Sequence, residues 1–206
     1  RLAWMTGAHL HIQHVTTAEG IDTIRHYKRK GVRLTCEAAP HHWALTDDAV
    51  PSFNTNAKMN PPLREQIDCD GIIAGIKDGT VDCIATDHAP HTPTEKAQEF
   101  ADAPFGIIGL ETSLARVITD LVEPGHITIE RAIELMTVSG SRICNLGAGE
   151  LKEGGPADIC IFDPKASFTL TRQSLKSQGK NTPFLGRELP GRVRYTLIDG
   201  HLAYDG

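Results

Sequence analysis

The sequence predicts an α/β fold in which parallel strands alternate with helices, followed by a small β-module in the tail. Three observations predict it. Strand, helix, strand, helix and strand follow one another over residues 8–86. The connections are long enough to be crossovers, which makes the strands parallel neighbours in an α/β layer or barrel. Polar clusters stand at the C-terminal end of each of the three strands, the face on which α/β barrels assemble their sites.

Arg1–Gly7 reads as the tail of a helix ended by glycine. Entry in mid-architecture makes an incomplete domain the expectation. Ala8–Val15 is β-rich and alternating, hence a strand. Thr17 resembles an N-cap for a helix over Glu19–Lys30, with Ile21, Ile24 and Tyr27 on one face and Gly31 as its stop. Val32–Ala38 is a second strand, closed by Pro40 and the His41-His42 loop. Residues 44–63, rich in Pro, Asn and Asp, are irregular. Arg64–Asp78 is a second helix, on which Arg64 reads as a helix-start charge more than a substrate clamp. Val81–Thr86 is a third strand, short and apolar enough for burial on both faces.

Residues 92–105 form a polar loop, a lid or binding loop in this reading. Helices follow at 109–122 and 128–146. Beyond Gly149 the pattern changes: Ala157–Phe162, Arg192–Ile198 and His201–Tyr204 read as strands, the last two joined by an Asp199-Gly200 turn. The expected division is therefore an α/β layer or partial barrel over 1–148 and a β-module over 149–206.

Composition narrows the function classes. With 40% apolar and 23% charged residues, the 206-residue chain is globular in character. A net charge of −5 leaves no basic footprint for nucleic acid, and 5% aromatics leave little for base stacking. No apolar run approaches a membrane span. Five scattered cysteines without a C-x-x-C pair read as reduced, mostly buried thiols of a cytoplasmic protein. Ten histidines are the unusual feature, clustered at positions 9–14, 41–42 and 88–91.

Four segments carry chemistry. In Thr86-Asp87-His88-Ala89-Pro90-His91, a carboxylate leaves a buried strand into a proline-stiffened turn. Asp87 can bind a dication through one oxygen and accept a proton on the other; the competing reading is a capping Asp with surface histidines. His14, at the mouth of the first strand, is better placed to reach the site than His9 and His11, which fit hydrogen-bonded packing better than a metal pair. Glu37 and His42 fit an outer hydrogen-bonding layer better than direct ligation. In Lys58-Met59-Asn60-Pro61-Pro62-Leu63-Arg64, two prolines restrict the backbone, and Asn60 offers a held donor and acceptor for an imide or carboxylate.

Together with Pro104-Phe105-Gly106-Ile107-Ile108-Gly109-Leu110-Glu111-Thr112 and Gly154-Gly155-Pro156-Ala157-Asp158, these segments resemble dihydroorotase of the longer bacterial type, also found in multifunctional pyrimidine-pathway proteins. The resemblance covers essentially the whole chain. Each motif alone is shared with hydantoinases and allantoinases, whereas Asn-Pro-Pro-Leu-Arg followed by Asp-His-Ala-Pro-His is more particular to dihydroorotase.

The resemblance implies a (β/α)8 TIM-like metal-dependent hydrolase barrel with two zinc ions, catalysing reversible conversion of N-carbamoyl-L-aspartate to L-dihydroorotate. It implies His14 as one zinc ligand and Asp87 as ligand to the other zinc and as catalytic base and acid. Asn60, His91 and the backbone around Phe105 and Gly106 would contact substrate. The family's His-x-His pair, bridging Lys or Asp, a further ligand and a substrate Arg would all precede residue 1, so the chain alone is expected to be incomplete and inactive. A half-barrel would also leave sheet edges to be covered. The implied assembly is a homo-oligomer or a complex with aspartate transcarbamoylase. The alternatives are a hydantoinase- or allantoinase-type hydrolase and a catalytically silent scaffold subunit.

Overall fold

A computed structural model describes residues 1–206, the side chain of Pro51 excepted. After a short helix α1 (Leu2–Thr6), the chain forms β1 (Leu10–Ile12), α2 (Ala18–Arg29), β2 (Leu34–Ala38), α3 (His41–Ala44), α4 (Gln66–Lys77) and β3 (Cys83–Ile84). The three strands make one parallel sheet in the order β1-β2-β3. Leu10 lies opposite Leu34 in its register and Glu37 opposite Cys83. A parallel bridge from His88 to Ile107 continues the pattern past β3.

Alternation along the strands separates two faces. Cys36 and Ala38 point into a core with Ile21, Ile24, Ile72, Ile76, Val81, Val117, Leu121 and Leu135. Ile21 and Ile24 recur three apart on α2, and Ile72 and Ile76 four apart on α4, so each helix lays one stripe on the sheet. Burying each such side chain contributes about 1.5–3 kcal/mol. Thr17 caps α2 as expected, its side chain accepting from Gly20 N.

The helical expectations after residue 108 hold in part. A short helix α5 (Pro93–Lys96) lies in the 92–105 segment, and the span 109–122 holds α6 (Ser113–Val117) running into a π turn over Ile118–Val122. The span 128–146 is two helices, α7 (Ile129–Met136) and α8 (Val138–Cys144), broken at Thr137 with φ −130 and ψ −93. The predicted strands are likewise redrawn: those of the first sheet are shorter, and those of the tail are longer.

The tail forms an antiparallel sheet of β4 (Ile159–Thr169), β5 (Glu188–Ile198) and β6 (His201–Asp205). At its tight turn Asp199 and Gly200 both take positive φ, 49 and 76, as the two-residue hairpin turn requires. A second core joins Leu45, Met59, Leu63, Ile107 and Ile108 to Leu170, Leu175, Phe184 and Leu189 of the tail. No helix among the described residues is long and apolar enough to cross a membrane.

Candidate active site

The expected strand Ala8–Val15 stops at Ile12 because the chain turns sharply at His14, whose φ is 36. The strand Val81–Thr86 likewise stops at Ile84, ahead of Asp87 with φ 46. A left-handed backbone costs an L-residue about 1–2 kcal/mol, and strain of this kind concentrates at functional positions. Val15 N donates to Glu37 O at 3.0 Å, and Ala85 N donates to Ala38 O at 3.1 Å. The exits of β1 and β3 are thus fastened to consecutive residues of β2, and His14 and Asp87 stand at one end of the same sheet.

Helix α3 backs that mouth. His41 is 3% exposed, and its Nε2 stands 3.7 Å from Asp87 Oδ2 with no hydrogen-bond partner. Burial drives its imidazole well below the usual histidine range, helped by His42 and His14. His42 donates from Nε2 to Pro61 O at 3.0 Å, while its Nδ1 has no partner. Burial holds it down at about 4 against the Pro61 bond and Asp87, which act the other way. The His41 and His42 rings lie 4.2 Å apart between centroids, and with His41 beside Asp87 these three side chains share one neighbourhood at the strand exits.

The proposed substrate-facing residues form a second, linked group. His91 donates from Nε2 to Phe105 O at 2.8 Å, and its backbone N donates to Asn181 Oδ1 at 2.9 Å. Gly106 N donates to Lys58 O at 2.9 Å, two residues before Asn60. Asn60 is exposed and precedes Pro61 through a cis peptide, with the Pro61 carbonyl held by His42. Gly106 is glycine for two reasons. Its φ is 141, and a Cβ there would meet Ala89 Cβ at 2.6 Å and Ala89 O at 2.9 Å. His91, Phe105 and Gly106 are brought into direct contact, and Asn60 is joined to them through the backbone of Lys58.

Several expectations change. Arg64 is not part of a helix, since α4 begins at Gln66; its Nε reaches toward Thr16 Oγ1 at 3.5 Å, beside the β1 exit. The 92–105 loop is no free lid, because carbonyls along it are held by Lys58 and Lys96. His88 turns its Nδ1 to accept from Gly109 N at 3.1 Å and Leu110 N at 3.3 Å, which fixes its proton on Nε2.

His11 is half-buried and hydrogen-bonded as expected, whereas His9 is hydrogen-bonded but exposed. An ionised Glu37 only accepts, so His11 Nε2 donates to it at 3.0 Å and His11 Nδ1 accepts from Thr35 Oγ1 at 2.9 Å. Thr35 then accepts from His9 Nε2. Glu37 is therefore engaged with β1 and not with the Asp87 mouth. Ligand atoms of His11, Glu37 and Cys83 lie within 4.8 Å of one another. The Cys83 thiol, however, is pushed up to about 12 by burial first and Glu37 next, so it stays protonated. The trio is a satisfied hydrogen-bond cluster with a neutral thiol beside it.

Sequence reasoning missed Asn181, which is 3% exposed and binds His91 N, Ala89 O and Gly106 O together. Its setting, Lys180-Asn181-Thr182-Pro183, reads only as a polar turn, and its partners are about 75 to 92 residues away.

Comparison with known proteins accords with this geometry. The profile described as the Amidohydrolase family matches residues 1–203. Dihydroorotase from Endomicrobium trichonymphae is 48% identical over 204 residues, covering 98% of this chain and 48% of that protein. Dihydroorotase from Trichlorobacter lovleyi is 49% identical over 205 residues, covering 100% of this chain and 48% of that protein. The chain spans about half the length of the curated relatives it matches. Among solved structures, L-hydantoinase (dihydropyrimidinase) from Arthrobacter aurescens superposes with a TM-score of 0.91 at 25% identity, over 99% of this chain and 46% of that one. Dihydropyrimidinase from Brevibacillus agri gives a TM-score of 0.92 at 23% identity over the same shares, a likeness of fold alone. A barrel-type α/β sheet with its polar residues gathered at the strand exits, and a family profile spanning nearly every residue, place this chain in the amidohydrolase family.

Proposed function

We propose that this chain supplies the His14–Asp87 side of the active site of a zinc-dependent cyclic amidohydrolase that interconverts N-carbamoyl-L-aspartate and L-dihydroorotate in pyrimidine biosynthesis. The observation that carries the reading is the pairing, at one sheet end, of two residues in strained left-handed conformations beside a buried imidazole that lacks a partner. Whole-chain similarity to proteins named dihydroorotase supports the choice of substrate. The five free cysteines fit a reducing, cytoplasmic setting.

The donor types fit a borderline dication. His14 offers an imidazole nitrogen and Asp87 a carboxylate oxygen, both zinc ligands. Catalytic zinc takes three protein ligands, so on this reading further ligands come from outside residues 1–206. When bound, zinc supplies Lewis acidity toward the scissile amide carbonyl.

The remaining work falls to the protein. Asp87 accepts a proton from the attacking water as the new C–O bond forms, then returns it to the ring nitrogen as the C–N bond breaks. In ring closure the same carboxylate takes the proton from the ureido nitrogen. His41, buried and with its pKa lowered by burial, keeps a polar nitrogen near Asp87 without adding a positive charge. Asn60 and the Phe105–Gly106 backbone orient the ring or its carboxylate, and His91 fixes the Phe105 carbonyl.

The test is metal analysis and turnover in the longest natural polypeptide that contains this chain. Zinc retention and dihydroorotate hydrolysis are expected in the parent, with both reduced in His14→Ala and Asp87→Ala. Turnover of hydantoin or allantoin with none of dihydroorotate would select the related-hydrolase alternative. Absence of all three activities together with zinc would favour the scaffold.

A further inference from the structure

Two lysines lie deep in the loop region and neither is used by the mechanism. Lys58 is 7% exposed and Lys96 is 6% exposed. The Lys58 ammonium donates to the carbonyls of Phe100, Ala101 and Ala103, which satisfies all three of its protons. The Lys96 ammonium donates to Thr55 O at 2.9 Å and Pro104 O at 2.8 Å. Burial holds Lys96 down at about 8, and the second influence is Lys58, a like charge. Burying two cations against neutral carbonyls is expensive.

What the arrangement secures is the relative placement of two turns. Thr55 opens the turn that leads through Lys58 to Asn60, and Pro104 immediately precedes Phe105 and Gly106. Lys96 bridges the two directly. Lys58 grips the loop from Phe100 to Ala103 with its side chain and Gly106 N with its own carbonyl. The Lys58 ammonium also sits 4.7 Å from the centroid of the Phe105 ring.

We propose that Lys58 and Lys96 are positioning residues: a pair of buried ammonium groups that lock the Asn60 turn to the Phe105–Gly106 turn, fixing the two sides of the substrate's berth. The proposal rests on the assignment of Asn60, Phe105 and Gly106 as substrate contacts. It makes the 92–105 segment a rigid wall. Because those contacts hold the ring both before and during reaction, loosening them weakens binding more than it slows chemistry.

The test uses Lys96→Met and Lys58→Met in the longest natural polypeptide carrying this chain. The readouts are steady-state kinetics with dihydroorotate and amide hydrogen exchange. For Lys96→Met, KM is expected to rise ~10-fold or more while kcat changes by less than ~3-fold. Exchange of residues 97–106 should accelerate ~10-fold or more with β2 unchanged, the mark of local loosening. Lys58→Met should do the same, and if it fails to fold, Lys96→Met decides alone. Unchanged exchange at 97–106 in the folded variants overturns the clamp. Faster exchange with unchanged KM overturns the positioning role. Should the parent fail to turn over dihydroorotate, the proposed function falls, while the exchange data still judge the clamp.

Discussion

Gly106→Ala is the substitution whose cost can be worked most fully from the geometry. Two penalties add. The backbone φ of 141 is one that L side chains rarely adopt, a strain of about 1–2 kcal/mol by analogy with the left-handed region. The new Cβ would also stand 2.6 Å from Ala89 Cβ, 2.9 Å from Ala89 O and 3.1 Å from His91 Cδ2. Ala89 cannot retreat easily, because its N donates to Ile107 O at 3.1 Å and its O accepts from Asn181 Nδ2 at 2.9 Å. Forcing a carbon into such a contact costs about 1–3 kcal/mol.

The expected total is therefore about 2–5 kcal/mol, or a melting midpoint lower by roughly 4–20 °C for a chain of this size. Gly125→Ala separates the two terms. Gly125 has φ 74 but no heavy atom within 4 Å of its would-be Cβ, so it carries backbone strain alone. Calorimetric or urea midpoints of both variants give the difference directly, and Gly106→Ala should be the more destabilised by about 1–3 kcal/mol. Equal losses would refute the claim that Gly106 is held against the Asp-His-Ala-Pro-His segment.

Three further outcomes follow from the same structure. Asp87→Asn keeps a side chain that tolerates the left-handed backbone, so the fold should persist while kcat falls by about 10²–10⁴, the usual contribution of a proton-transfer group; near-parent kcat would remove Asp87 from the chemistry. His42 titrates near 4 in the folded chain because of burial, below its unfolded value of 6.5. The unfolded chain then binds more protons between those values, so metal-free protein should lose about 2–3 kcal/mol as pH falls from 6.5 to 4; His41, lowered in the same direction, adds to the loss, and urea midpoints that stay flat above pH 4 would contradict it. Finally, Cys36, Cys69 and Cys83 are buried, with thiols pushed up to about 11, 11 and 12 by burial, whereas Cys144 and Cys160 are exposed. Brief iodoacetamide treatment of the native chain should label only within the exposed pair by mass spectrometry, and prompt labelling of Cys36 would argue against the packed sheet.

The parts of the fold that local pattern controls were legible. The apolar spacing of Ile21 and Ile24 after a Thr17 cap marks α2 directly, and Asp199-Gly200 marks the hairpin through its demand for positive φ. Strand lengths were less legible, because His14 and Asp87 leave the strand conformation at the very positions where chemistry places them. The break at Thr137 carries no Gly or Pro signal; Gly149 returns close enough that a Cβ on it would stand 3.0 Å from Val138 N, a tertiary approach that periodicity does not register.

The site was legible as residue types at strand exits and illegible as a network. A lysine donating to backbone carbonyls leaves no complementary charge in the sequence, so the 92–105 segment read as a polar loop when it is pinned by Lys58 and Lys96. Asn181 was hidden for a related reason: its partners are main-chain groups brought near by the second core. Arg64 read as a helix-start charge by sequence distance, yet α4 starts two residues later and leaves it free to reach Thr16.

Anomalous diffraction at the zinc edge, from crystals of the longest natural polypeptide containing this chain grown with zinc, addresses the assignment of metal and base most directly. Zinc density is expected about 2.0–2.1 Å from a ring nitrogen of His14 and about 2.0–2.2 Å from a carboxylate oxygen of Asp87. Zinc seated instead on His11, Glu37 and Cys83, with His14 and Asp87 bare, would contradict it.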